Sequence, residues 1–403
     1  MPMNSIMGKA RIGIFESTDW LGGSNYLRVL LSNLSELQVS GRSDADFEVV
    51  GISKPGASPP EGASWPSIRN DIHSTRSPVF HLLLSRTFPR LLTRGSHRVA
   101  AFAQRHQLTH LFPSAAGGIR WPWQATAADW IPDFAHISSP ENFTQAERDH
   151  RDADFARRVR SAGLVFVSSD TSASIYKKLY PDSVGKLRVF KFRVSAGKEL
   201  GQTMSEDARV LHGLPRKYAI VCNQMWKHKK HDMVVRALSA IKQHDPSICV
   251  VFTGPTEDRT HPEYPNHVMD LVRNMNLDGN ISILGKIPRH EQLALLRGAA
   301  FVIQPSVCEG WNTGVEEARF FGKKVLLSDI PVHREQSYSQ CSLCRADDEE
   351  SLARGMLALW RETVGGPAAD EAKWRSEYDD LRSNSAAVFL SALGITSRKP
   401  GEV

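Results

Sequence analysis

The sequence predicts an α/β protein built on two mostly parallel sheets, and three observations carry that expectation. Short apolar runs bounded by turn residues recur at 12–15, 47–52, 110–112, 164–167, 219–222, 248–252, 281–284, 301–303 and 324–327, with helix-length segments between them. Strands of that length alternating with helices imply right-handed crossovers. The chain opens as strand, glycine loop and helix: residues 12–15 are apolar, Gly22 and Gly23 follow, and Tyr26, Leu27, Leu30, Leu31 and Leu34 recur at helical spacing. Finally, a polar stretch at 195–216 interrupts the alternation before a fresh strand begins at Tyr218, which sets the hinge between two domains there. The expected organisation is therefore 1–200 for the first domain, 201–216 for the linker and 217–370 for the second domain. The remainder, 371–403, holds a last helical pattern over 371–393 behind the Gly-Gly-Pro break at 365–367, and a frayed tail over 397–403.

Length and composition narrow the class further. At 403 residues, 41% hydrophobic and 23% charged, the chain has room for two or three packed units and is wrong for a collagen, a coiled coil or wholesale disorder. A membrane span needs ~18 or more consecutive apolar residues, and only short runs such as 299–303 and 386–390 occur. The first ten residues lack the pattern of a secretory signal, so a cytoplasmic location is expected. Five cysteines fit reduced thiols better than a disulfide framework. Cys341 and Cys344 form a lone Cys-x-x-Cys without a second ligand pair, which reads as two thiols in a strand or loop. The net charge of +6 favours anionic partners without choosing among them. Its distribution says more: 72–128 holds no Asp or Glu but seven arginines, at 76, 86, 90, 94, 98, 105 and 120.

The passage FVIQPSVCEGWNTGVEEARFFG at 301–322 carries the first chemical signal, because an apolar strand ends in a short loop and a helix follows. Glu309 falls in that loop, at the carboxyl end of the strand where ligands of open α/β sheets collect, and Glu317 falls about one turn into the helix. Thr313 followed by Glu316 fits a capping box, which gives Glu316 a structural task and leaves Glu317 as the functional candidate. A helix starting here aims backbone N–H groups at any phosphate nearby. A second signal is NQMWKHKKH at 223–231, a cationic loop behind the strand at 219–222. Lysine ammonium groups there can neutralise a departing diphosphate without a metal.

From 218 to 336 the chain resembles the carboxyl-terminal domain of retaining glycosyltransferases of family 4, which have the GT-B fold. The resemblance lies in five ordered blocks: NQMWKHKKH, VVFTG at 250–254, ISILGKIPRHEQL at 281–293, QPSVCEGWNTGVEEA at 304–318 and GKKVLLSDIPVHREQ at 322–336. The amino-terminal half is similar more loosely, through Gly22-Gly23, WIPDFAHISSPENF at 130–143 and VFVSSDTS at 165–172. The resemblance implies two Rossmann-like domains facing a central cleft, with the C-terminal helix returning to the first domain. It implies that Glu317 accepts hydrogen bonds from the nucleotide ribose, that Glu309 faces the donor sugar, and that the amides of Gly310, Trp311, Asn312 and Thr313 line the sugar and phosphate site. Lys229 matches the family's diphosphate-binding lysine. Gln224 stands where many members carry an arginine, a departure for which Lys227 is expected to supply the missing charge. Gly22 and Gly23 match a loop that approaches the diphosphate or sugar, and His136 corresponds to a family histidine close to the donor sugar. Asn312 and Gly314 replace a glycine and a proline of the family pattern Glu-Gly-Phe-Gly-Leu-Pro, so sugar preference does not carry over.

The resemblance implies transfer of a sugar from a nucleotide-diphosphate donor to a saccharide or lipid-linked glycan, with retention of anomeric configuration and no enzyme nucleophile, in cell-surface polysaccharide or glycoconjugate synthesis. No cofactor and no metal are expected: Asp152-Ala153-Asp154 sits in a mixed-charge helix face and Asp44-Ala45-Asp46 in a polar loop. The arginines at 86, 90, 94 and 98 stack charge along one helical side, which fits either a solvated helix or docking to an anionic membrane, although Pro89 and Gly95 interrupt a single helix. Two other classes stay open, a nucleotide-sugar epimerase on the same architecture and a noncatalytic nucleotide-sugar-binding protein. No nucleic-acid motif is present, and no nucleic-acid partner is expected.

Overall fold

A computed structural model describes residues 9–15, 21–41, 45–53, 67–69, 102–113, 126–194 and 204–395. The chain divides into two compact units. The first comprises residues 1–133, 149–193 and 381–403, and the second 134–148 and 194–380. In the first, strands β1 (Ala10–Phe15), β2 (Phe47–Ser53), β3 (Ser67–Arg69), β4 (His110–Phe112), β5 (Thr126–Ile131), β6 (Leu164–Val167) and β7 (Leu187–Val189) form a parallel sheet in the order β3-β2-β1-β4-β5-β6-β7. Helix α1 (Leu21–Val39) follows β1, a short helix α2 (Ala135–Ser138) and α3 (Gln145–Ser161) follow β5, and α4 (Asp170–Leu179) follows β6. The core is aromatic. Tyr26 stacks on Trp130 at 3.9 Å between ring centroids, while Phe112, Phe166 and Phe190 gather around Phe389 at 5.0–5.2 Å. Phe389 comes from the last helix.

The second unit holds α5 (Ser205–Leu211), β8 (Ala219–Cys222), α6 (His231–Ile241), β9 (Val250–Thr253), α7 (Tyr264–Asn274), β10 (Ile281–Gly285) and α8 (Arg289–Gly298). It continues with β11 (Phe301–Gln304), α9 (Thr313–Phe320), β12 (Val325–Ser328), α10 (Pro331–Gln336), β13 (Cys341–Cys344) and α11 (Glu349–Glu362). Its parallel sheet runs β10-β9-β8-β11-β12-β13. Alternation of side chains explains why these strands read as unbroken apolar runs. Ala219, Val221, Val250, Phe252, Phe301, Ile303 and Leu326 enter one core with α6, α7 and α11, while Ile220, Val251, Val302, Val325 and Leu327 enter the other with α5, α8 and α9. Both faces are covered, as a parallel sheet with crossover helices requires.

Gly254 ends β9 with φ +129°, and a Cβ there would lie 2.2 Å from the carbonyl oxygen of Asn223. That backbone contact draws the ends of β8 and β9 together. Gly254→Ala is expected to lower stability by roughly 2–4 kcal/mol through clash and an unfavourable φ, visible as a fall in the urea midpoint at unchanged slope.

Several expectations are revised, and others, the returning last helix and the two plain thiols at 341 and 344, are met. The region 201–216 is not a plain linker: α5 lies within it, belongs to the second unit and buries Ala208 fully. The last helix, α12 (Glu371–Ala392), starts in the second unit, and its residues from Leu381 onward belong to the first. The three-residue strands β3 and β7 are not among the apolar runs, the strand expected near 130–134 is β5 at Thr126–Ile131, and residues 134–148 cluster with the second unit rather than the first. Gly22 and Gly23 lie in the first turn of α1, not in a loop ahead of it. Cys341 and Cys344 are free thiols at the two ends of edge strand β13. Among the arginines of the basic stretch, those at 76, 86, 90, 94, 98 and 120 lie outside the described residues, as do 195–203, Asp44 and the tail from 396. Among the described residues no helix is long and apolar enough to cross a membrane.

Candidate active site

Strand order in the second sheet reverses between β8 and β11, so the chain leaves these neighbours in opposite directions and their carboxyl ends bound a crevice. The two loops that lead away, 223–230 and 305–312, hold the cationic block and Glu309. They are stapled together where the Val307 N–H donates to the His228 carbonyl at 3.0 Å. Lys229, in a single 3-10 turn, donates from Nζ to Glu309 Oε1 at 2.6 Å, and both side chains are largely buried. Asn312 Nδ2 donates to the same oxygen at 2.9 Å. Burial alone would push the Glu309 carboxyl up, but the Lys229 ammonium, with His333 and His228 adding to it, holds the carboxyl below its ordinary value. Glu309 is thus a carboxylate at neutral pH.

Glu317 is buried on α9, and its Oε1 accepts from Arg289 Nη2 at the start of α8. Arg289 Nη1 also donates to Gln292 Oε1 at 2.8 Å, and Gln292 Nε2 reaches Thr253 Oγ1 at 3.2 Å. The carboxylate is therefore oriented by a chain that ends on β9. Sequence reasoning overlooked Arg289, although it lies inside the block at 281–293 as the first residue of a helix following a strand. Glu316 points elsewhere: it is fully buried, with Gln336 Nε2 on one oxygen and Tyr378 Oη on the other, both at 3.1 Å.

The capping box is not formed. Asn312, one residue earlier, is the N-cap, its Oδ1 accepting from the Val315 N–H at 3.3 Å, and Thr313 is the first helical residue. The N–H of Asn312 itself donates to Gln336 Oε1 at 3.0 Å, so that amide is committed to the protein. Of the four amides expected to line a ligand, those of Gly310, Trp311 and Thr313 remain candidates. The cationic block is also smaller than its composition suggests. Lys230 pairs with Asp347 at 2.7 Å, and His231 is wholly buried against Phe252, where desolvation lowers it to about 3 and keeps it neutral. Gln224 is half-buried, and Lys227 is exposed with its N–H held by Asp258 Oδ2 at 2.9 Å.

Residues 205–370, the body of this unit, match the family model described as glycosyl transferases group 1. The second unit is a group 1 glycosyltransferase domain. No curated protein sequence matches the chain. Solved structures similar over nearly the whole length include a sucrose-phosphate synthase from Thermosynechococcus elongatus, at 18% identity and TM-score 0.63, covering 96% of each chain. A glycosyltransferase from Rickettsia africae aligns at 16% and 0.62, again over 96% of each. Anabaena HepE in complex with UDP-glucose aligns at 16% and 0.62, over 96% of this chain and 98% of that one. The fold is GT-B. Within the glycosyltransferase domain the structure brings Lys229, Glu309 and Asn312 into direct contact and pairs Glu317 with Arg289.

The remaining expected residues lie apart in the chain from that cluster. Gly22 and Gly23 are in α1 of the first unit. His136 is buried in α2 between the rings of Phe134 and Phe143. In α3, Asp154 is engaged by Arg157 and Arg158, and Arg158 reaches buried Asp129 at 3.0 Å, while Asp152 is exposed. Among the described residues no group of three or more His, Cys, Asp or Glu is arranged to hold a metal ion.

Proposed function

We propose that the protein is a retaining glycosyltransferase that moves a sugar from a nucleoside-diphosphate donor to a saccharide or lipid-linked glycan. The observation that carries this reading is the Lys229–Glu309 pair at the reversal point of a group 1 glycosyltransferase domain, one strand-end from buried Glu317. Glu317 receives the ribose hydroxyls through Oε2, because Oε1 is held by Arg289. Lys229 neutralises charge on the diphosphate, assisted by Lys227 and the amides of Gly310, Trp311 and Thr313, and Glu309 receives a sugar hydroxyl. His136 serves the donor sugar, and Gln224 lines the diphosphate site without charge.

The reaction breaks the bond between the anomeric carbon and the phosphate oxygen and forms one to an acceptor oxygen on the same face. The acceptor proton passes to the departing diphosphate, so no protein nucleophile and no divalent ion are needed. Stabilisation of the leaving phosphate by fixed charges is the main catalytic device. HepE, which binds UDP-glucose, supports a UDP-sugar as the first donor to try. A role in polysaccharide or glycoconjugate synthesis, from the cytoplasm or the inner membrane face, follows from the same reading.

A panel of UDP-, GDP- and ADP-sugars tests this by thermal shift in the presence of EDTA. At a ligand concentration near a hundredfold Kd, the matching donor is expected to raise the melting temperature by roughly 5–10 °C. No shift with any member would overturn the reading. Release of an epimer without acceptor would point to an isomerase instead, and binding without hydrolysis or transfer to a noncatalytic protein.

A further inference from the structure

Gln304, the last residue of β11, is wholly buried at a position where the neighbouring strand residues are apolar. Its Oε1 accepts two hydrogen bonds, from Asn223 Nδ2 at 2.6 Å and from Asn312 Nδ2 at 3.1 Å. Both partners end in an NH2 group there, so the carbonyl side of the Gln304 amide must face them. Its Nε2 then lies against α9, where a Cβ on Gly314 would come within 2.6 Å of it and within 3.2 Å of Asn312 Oδ1. Gly314 therefore makes room for this side chain. A proline or any larger residue at 314 would displace Gln304 from both asparagines, which gives a physical reason for glycine at that place in this chain.

Asn312 is fixed at both ends by this arrangement. Oδ1 caps α9 through Val315, and Nδ2 is shared between Gln304 and Glu309 Oε1. With Lys229 and Asn312 both on Oε1, the carboxylate of Glu309 keeps one orientation, and Oε2 is left for a ligand hydroxyl. An amide network of this kind, buried and mutually constrained, orients its members more rigidly than isolated pairs do.

We propose that Gln304 is a positioning residue for the donor sugar, acting through the Asn312 amide on Glu309. The assignment rests on the donor reading above. It makes a prediction that simple loss of packing does not: damage at Gln304 is felt by the sugar and not by the nucleotide, whose ribose contact runs through Glu317 and Arg289.

The test measures affinities of UDP-, GDP- and ADP-glucose and of the matching free diphosphates, by calorimetry on the full-length protein. Wild-type protein is measured first. If it binds none of these, the donor reading itself fails and this assignment falls with it, before any variant is made. Given wild-type binding, Gln304→Met is expected to weaken the sugar nucleotide about tenfold, the worth of a hydrogen bond to a charged group, and the free diphosphate less than about twofold. Asn312→Ser keeps a capping oxygen on α9 but loses the NH2 arm, and should show the same split. The double variant should be no more than about twofold weaker than Asn312→Ser alone, because the two residues act in series. If Gln304→Met does not accumulate as folded protein, Asn223→Ala loosens the same carbonyl from its half-buried side and must reproduce the split. Equal losses for sugar nucleotide and diphosphate, no loss for either, or additive losses in the double variant would each overturn the assignment.

Discussion

Replacing Glu317 with alanine will weaken binding of the donor and of its free nucleoside diphosphate about equally, by roughly 10- to 100-fold, the range expected for a lost hydrogen bond to a charged acceptor. The buried position of Glu317 makes this loss large, since a carboxylate shielded from water interacts more strongly than one at the surface. Folding should survive, because the partner left behind, Arg289, is more than a third exposed and can be hydrated, and retains Gln292. Isothermal titration with the donor identified by the panel reads the effect directly. Wild-type affinity in Glu317→Ala would remove the ribose contact from the account.

Lys229→Met is expected to lower turnover by roughly 100- to 1000-fold with a smaller change in donor affinity, as for other fixed groups that stabilise charge developing in a transition state. A second signature follows from Glu309. In the wild type, burial raises that carboxyl but Lys229 more than offsets it, so the folded value lies below the ordinary one. A depressed carboxyl contributes stability above its unfolded pKa, and that contribution is lost as pH falls through the folded pKa. Removing the ammonium leaves desolvation unopposed by its chief partner, so the carboxyl of the variant rises. The acidic limb of kcat/KM should therefore move to higher pH in Lys229→Met, and because the Glu309 carboxyl then contributes less stability above the ordinary carboxylate range, acidification should cost the variant less thermal stability than it costs the wild type. An unchanged rate, or a limb that stays in place, would separate Lys229 from both the leaving group and Glu309.

Much of this was legible in the sequence, for reasons that differ from residue to residue. The central strands β8, β11 and β12 are buried on both faces, so each appears as an apolar run whose end marks a loop at the reversal point. Lys229 and Glu309 sit on those loops, 80 positions apart, and only the ordered blocks of the family pattern tie them together. The short strands β3 and β7 carry too few residues for a period to show, and α5 hid because its buried positions are Ser205 and Ala208 while Val210 and Leu211 are exposed, so its apolar residues do not mark its buried face. The N-cap slipped by one residue because Asn312 and Thr313 are both good caps, and the choice between them is made by Gln304 and Gln336, which lie outside the local window. Buried amides such as Gln304, and the Arg289 side chain that reaches across to Glu317, leave no periodic or compositional trace. Their roles come from tertiary geometry.

The most direct measurement is a crystal structure of the full-length protein with the nucleoside diphosphate that binds most tightly. The account predicts ribose hydroxyls against the Glu317 carboxylate and diphosphate oxygens against Lys229 Nζ, with Arg289 still on the far oxygen of Glu317. A diphosphate seated away from Lys229 while the ribose lies elsewhere than at Glu317 would contradict it.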